Sequence, residues 1–107
     1  MTDHIVVLVT VAGVEEARTI ARSLVTERLA ACVNVVPGLV SFYVWKGEVS
    51  EDPEILLVMK TRRELFSALE ARIRELHPYE VPEVIALPVE AGSAPYLAWL
   101  SESTREA

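Results

Sequence analysis

The chain has 107 residues, 51% of them hydrophobic, with ten basic against sixteen acidic side chains and a net charge of −6. That length and composition fit a single domain over residues 1–107, able to bury a core without disulfide or metal staples. So acidic a chain lacks the basic patches that nucleic acid or an anionic membrane requires.

The opening run "MTDHIVVLVT" has no basic leader and is too short for a signal or membrane helix. With a single cysteine, Cys32, which can form no disulfide within the chain, this predicts a cytoplasmic location. Eight of the ten basic residues are Arg, and there is one Asn and no Gln. Such a composition suits a thermostable protein, and it equally suits a GC-rich genome.

"HIVVLVTV" (4–11) is β-branched and apolar, the length of a buried strand. After Gly13, Val14, Ala17, Ile20, Ala21, Leu24 and Val25 form a helical stripe, with Glu15 and Glu16 in the first turn to suit the helix dipole. "CVNVVPGLVSFYVW" (32–45) reads as a strand broken by Pro37-Gly38, a bulge or bend on an edge. Lys46-Gly47 supplies a hairpin turn, and "ILLVMK" (55–60) is the returning strand. Residues 32–61 therefore form one long hairpin, bent near Pro37.

"TRRE" (61–64) has the form of a capping box, in which Thr61 and Glu64 satisfy each other's backbone amides. It opens a helix with Leu65, Phe66, Leu69, Ile73 and Leu76 on one face, ended by His77-Pro78. "VIALPV" (84–89), flanked by Pro82 and Pro88, is a short edge strand, because proline cannot donate to a ladder. Ser93 caps a last helix running to about Arg105. The order predicts an α+β fold: a ferredoxin-like βαββαβ unit with an antiparallel sheet, a long bent hairpin and an extra C-terminal helix.

In that fold both main helices cover one face of the sheet, yet "IVVLV" and "ILLVM" are apolar on both faces. The second face is then a large apolar patch, which predicts an oligomer whose subunits cover each other. The alternative is that the last helix folds back over it.

No CxxC, HxxxH or HExxH spacing is present, so no preformed zinc site is legible. Cys32 and His77, with Glu80 or Glu83, are the only thiol–imidazole set, and nothing in their spacing demands catalysis. An acylphosphatase-type loop fails because "VAGVEE" holds no Arg, and an RNA-binding sheet fails because "HIVVLVT" and "ILLVMK" carry no aromatic residue and the net charge has the wrong sign. No enzyme is expected. What remains is a polar-aromatic set. Ser41, Tyr43 and Trp45 share one strand face, opposite Val40, Phe42 and Val44, and Lys60, His77, Tyr79, Glu80 and Glu83 lie elsewhere in the hairpin and corner. These residues suit either a pocket for a small polar or anionic ligand at a subunit junction or the polar rim of an interface.

"AACVNVVPG", "YVWKGE", "LLVMKT", "HPYEVPEV" and "YLAWL", in this order and spacing, resemble the CutA divalent-cation-tolerance family over nearly the whole chain. The resemblance implies a ferredoxin-like subunit, a tightly packed homotrimer and an architecture similar to the PII-type signalling proteins. It implies cleft residues Cys32, Trp45, Lys60, His77, Tyr79 and Glu83, with Tyr96 nearby, and a role in divalent-metal tolerance with copper binding. The expectation is a non-enzymatic trimer that binds copper or another divalent cation weakly, through Cys32 and His77 or through carboxylates. Two other readings stand beside it: a PII-like module holding a small polar or anionic ligand between subunits, and a trimeric interaction scaffold.

Overall fold

The computed structural model describes residues 2–107. Eight elements follow in order: β1 (His4–Val11), α1 (Val14–Thr26), β2 (Cys32–Trp45), β3 (Glu48–Arg62), a 3₁₀ turn (Arg63–Leu65), α2 (Phe66–Leu76), β4 (Ile85–Pro88) and α3 (Ala94–Glu102). The strands make one sheet in the order β2-β3-β1-β4, with every neighbouring pair antiparallel. This is the expected α+β arrangement, with β4 at an edge.

Strand register divides the side chains into two faces. Ile5, Val7, Val9, Leu57 and Met59 are at most 2% exposed and pack with Ala17, Ile20, Leu24, Leu69 and Ile73 from α1 and α2. Each large side chain buried there contributes roughly 1.5–3 kcal/mol. A bidentate ion pair joins the two helices outside this core: Arg72 Nε and Nη2 reach the Glu27 carboxylate at 3.0 to 3.1 Å. The Arg72 hydrogen bond holds the Glu27 carboxyl below its ordinary value of 4.5. A depressed acid contributes its stability above the ordinary carboxylate range and loses it as pH falls through the lowered value. Arg72→Ala should therefore lower the melting temperature by on the order of a few degrees near neutral pH, since both groups are solvated. The gap to the parent protein, followed by calorimetry, should close in acid; a gap constant down to acid pH would remove the ion pair as its cause.

The capping box predicted at 61–64 does not form. Thr61 remains in β3, paired with Ile5, and its hydroxyl donates to the Leu29 carbonyl at 2.7 Å in the core. Ladder bonds and burial outweigh a solvent-exposed cap. Glu64 pairs instead with Arg62, and α2 begins at Phe66 with no side-chain cap. Its end falls where expected, since His77 is extended (φ −85°, ψ 133°) ahead of Pro78.

On the other face lie Cys32, Asn34 and Val36 of β2, Leu56, Val58 and Lys60 of β3, Val6, Leu8 and Thr10 of β1, and Ile85 and Leu87 of β4. The last helix covers only one end of it. His4 Nε2 lies 2.8 Å from Ser101 Oγ, and Arg62 Nε donates to Thr104 Oγ1 at 2.8 Å. Ser93 caps α3 as predicted, accepting from the Tyr96 amide. The helix stops at Glu102, three residues short of the expected Arg105. There the Arg28 guanidinium takes the carbonyls of Glu102 and Ser103, and the Arg105 amide donates to the Arg28 carbonyl at 2.9 Å. Ile85 and Leu87 at the far side of the face stay 50% exposed.

Beyond Val11 the β2–β3 hairpin has no third strand among the described residues. It continues as a two-stranded arm over residues 39–54, and the molecule extends 45 Å along its long axis. The radius of gyration, 14.4 Å, exceeds the ~13 Å of a compact chain of this size. Its base is the predicted bend: pairing slips between Val36 and Leu39, and Gly38 takes φ +88°, a conformation that favours glycine. At its tip Lys46 and Gly47 are both left-handed, as a two-residue hairpin turn requires.

Candidate functional site

The arm has two chemically distinct faces. Val40, Phe42 and Val44 lie opposite Pro53, Glu51 and Val49 and form an apolar face; Phe42, Val44 and Val49 are 66%, 69% and 74% exposed. The other face carries Ser41, Tyr43 and Trp45 opposite Asp52, Ser50 and Glu48, and Glu54 continues it toward the sheet. A free two-stranded hairpin is marginal in water, so an arm with so much bare apolar surface needs a covering partner.

The polar face holds two phenol–carboxylate pairs. Tyr43 donates to Asp52 on the neighbouring strand, and Tyr79, from the corner after α2, donates to Glu54 at 3.1 Å. The hydrogen bond to Asp52 pushes the Tyr43 phenol up from its ordinary value. Burial and then the bond to Glu54 do the same for Tyr79. Both phenols are therefore held as neutral donors, and the face is acidic.

His77 is 6% exposed and anchors this corner. Its Nδ1 accepts from the Tyr79 amide at 3.1 Å, and its Nε2 donates to the Thr10 carbonyl at 2.8 Å. The imidazole also packs against the Tyr79 ring, with centroids 4.6 Å apart. Both ring nitrogens are thus committed, and the bonds run to β1 and the corner backbone rather than to the free carbonyls of the α2 C-terminus.

The other sequence-derived site residues scatter. Lys60 lies on the open face beside Cys32 and bonds Asn34. Trp45 is 62% exposed at the arm tip, opposite Glu48. Twelve residues of β3 separate Glu48 from Lys60, roughly 40 Å at strand rise, so Lys60 and Trp45 line no common cleft within one chain. Tyr96 stacks on Trp99 (5.6 Å between centroids) along α3, and Glu83 is exposed with no ion pair among the described residues. Cys32 is half-buried, level with Val6 through Lys60, whereas His77 is level with Thr10. Four residues of β1, about 13 Å, and the width of β3 lie between those levels. Cys32 and His77 therefore do not share one ion within a subunit, and His77 has no lone pair to offer. Among the described residues no three His, Cys, Asp or Glu side chains come together to hold a metal.

Two elements of this geometry escape a reading by composition. Asp52 and Glu54 sit in "SEDPE", which looks like a polar loop, yet counting back from the Lys46-Gly47 turn would have placed both on the Tyr43 face. His4, adjacent to the chain terminus, looks unconstrained but is 8% exposed, bonded through Nε2, with no partner for Nδ1 among the described residues. Leaving that nitrogen unpaired costs about 1–3 kcal/mol.

The comparison with known proteins covers the same extent as the fold. A family model described as CutA1 divalent ion tolerance protein matches residues 5–103. The divalent-cation tolerance protein CutA of Thermus thermophilus is 59% identical over 99 residues, 92% of this chain and 96% of that relative. The rice protein CutA 1, chloroplastic, is 52% identical over 102 residues, 95% of this chain but 58% of that longer relative. The crystal structure of rice CutA1 superposes with a TM-score of 0.96 at 51% identity, covering 97% of this chain and 95% of that one. A structure named as a periplasmic divalent cation tolerance protein CutA, from Archaeoglobus fulgidus, superposes at 0.91 with 35% identity, covering 94% and 97% of the two chains. None of the described helices is long and apolar enough to cross a membrane. With the family model matched over residues 5–103 and relatives more than half identical over nearly the whole chain, the chain belongs to the CutA1 divalent ion tolerance family.

Proposed function

We propose that this protein is a non-catalytic, cytoplasmic homotrimer that contributes to tolerance of divalent metal ions, copper among them. In this reading it binds a cation weakly on the acidic face of the arm. The observation that carries the reading is the pairing of Asp52 with Tyr43 and Glu54 with Tyr79 on one face of an arm that needs a covering partner. Carboxylate and phenol oxygens are hard donors suited to a divalent cation. One subunit supplies too few of them for tight binding, and a neighbour packed against the arm would complete the set. The family description and the name of the Thermus thermophilus relative, both given for divalent-ion tolerance, support the same reading.

Native mass spectrometry of protein purified without chelator should give the mass of three chains. Calorimetric titration with copper(II) should then give heat that falls about tenfold or more in affinity in Asp52→Asn with Glu54→Gln, since each carboxylate is a charge-assisted contact. Cys32→Ala should leave the heat unchanged. Loss of heat in Cys32→Ala alone would move the site to the thiol, and a monomeric mass would end the trimer reading.

A second reading, a PII-like module for a small anionic ligand, has one observation in its favour: Lys60 carries a positive charge on the largely apolar open face, with Asn34 beside it. In that case Lys60→Ala abolishes binding of the anion and leaves the trimer intact.

A further inference from the structure

We propose that the hollow between the start of β1, the 3₁₀ turn and α3 binds an amino acid carrying a second cationic group. The cavity is about 510 Å³, within the range of small-molecule sites, and one chain supplies all of its walls. Arg62 is already spent there, on Glu64, Thr104 Oγ1 and the Arg105 carbonyl. Arg63, Asp3 and Glu106 have no ion-pair partner among the described residues, although all three line the cavity. One guanidinium and two carboxylates without partners match a ligand with one carboxylate and two ammonium groups.

The floor of the hollow supports that match. His4 is buried there, with Ser101 against Nε2 and, among the described residues, nothing against Nδ1. When Nε2–H donates to Ser101, Nδ1 presents a lone pair. A small tilt of the ring toward the cavity lets a ligand ammonium donate to it. An anion has one guanidinium to meet and two carboxylates to oppose it, so anions are disfavoured.

The test follows the His4 imidazole by NMR of the full chain. L-Lysine should shift its resonances with an affinity on the order of millimolar, as befits a few exposed charge contacts. L-Norleucine, without the side-chain ammonium, and 1,5-diaminopentane, without the carboxylate, should each bind about tenfold more weakly. Arg63→Ala, at an exposed position, should weaken lysine by about tenfold and leave diaminopentane unaffected. Unmoved His4 resonances at ~10 mM lysine, or wild-type lysine binding in Arg63→Ala, would overturn the proposal. Arg63 lies at the opposite end of β3 from the arm, so the copper titration and the mass of the assembly stay unchanged in that variant, and the two readings fail separately.

Discussion

Ile85→Asp combined with Leu87→Asp should turn the proposed trimer into a folded monomer. Both side chains are 50% exposed on the open face of one subunit, next to Leu8 and Val6. In the isolated subunit the new carboxylates stay hydrated, so the fold loses little. Pressed against another apolar sheet, each carboxylate would be an unpaired buried charge, with a penalty of several kcal/mol per ion. Two such charges in each of three subunits exceed what an interface of ordinary affinity supplies. Native mass spectrometry and light scattering at micromolar protein should read one chain, and circular dichroism should retain the native spectrum. A variant that keeps the trimer mass and the parent melting temperature would show that the open face is not the interface.

His77→Ala should destabilise the protein by about 2–4 kcal/mol without any metal present, the sum expected of a lost buried side chain and two lost hydrogen bonds. The Thr10 carbonyl and the Tyr79 amide would both be left without their partner. Tyr79 would lose the ring it packs against, so its bond to Glu54 at the arm base should loosen too. Denaturant melts of chelator-treated protein give the stability, and hydrogen exchange over residues 77–80 gives the local effect. A metal-ligand role makes the opposite forecast: a metal-free variant as stable as the parent, with the difference appearing only when copper is added. That outcome would restore His77 as a ligand, against the geometry of its two committed nitrogens.

The resemblance carried in "HPYEVPEV" and "YVWKGE" pointed at the right family, and the residues it implied as a cleft are real landmarks of the fold. Within one chain they do not gather. Trp45 and Lys60 belong to the same hairpin, yet a hairpin this long carries them roughly 40 Å apart. Cys32 and His77 are both half- or fully buried, yet they occupy different levels of the sheet. The misread capping box has a similar cause. A Thr-x-x-Glu pattern is a local signal, and the β1 partner that keeps Thr61 in the ladder is 56 residues away in sequence, at Ile5.

The sequence alone determined what periodicity and local chain chemistry can determine. The helices followed from apolar residues at helical spacing, and the bend and hairpin tip from glycines that accept a positive φ. The stop of α2 followed from proline's clash with the residue before it. The second apolar face followed from strands that never alternate. Tertiary structure decided which side chains meet: Tyr43 with Asp52, Tyr79 with Glu54, His77 with Thr10 and His4 with Ser101. Three of these four contacts join residues 25 to 97 positions apart, and the fourth crosses a hairpin whose register the turn sets. Local preferences act over a few residues, whereas such contacts exist only after the sheet and helices have packed and brought distant chain segments into hydrogen-bond range.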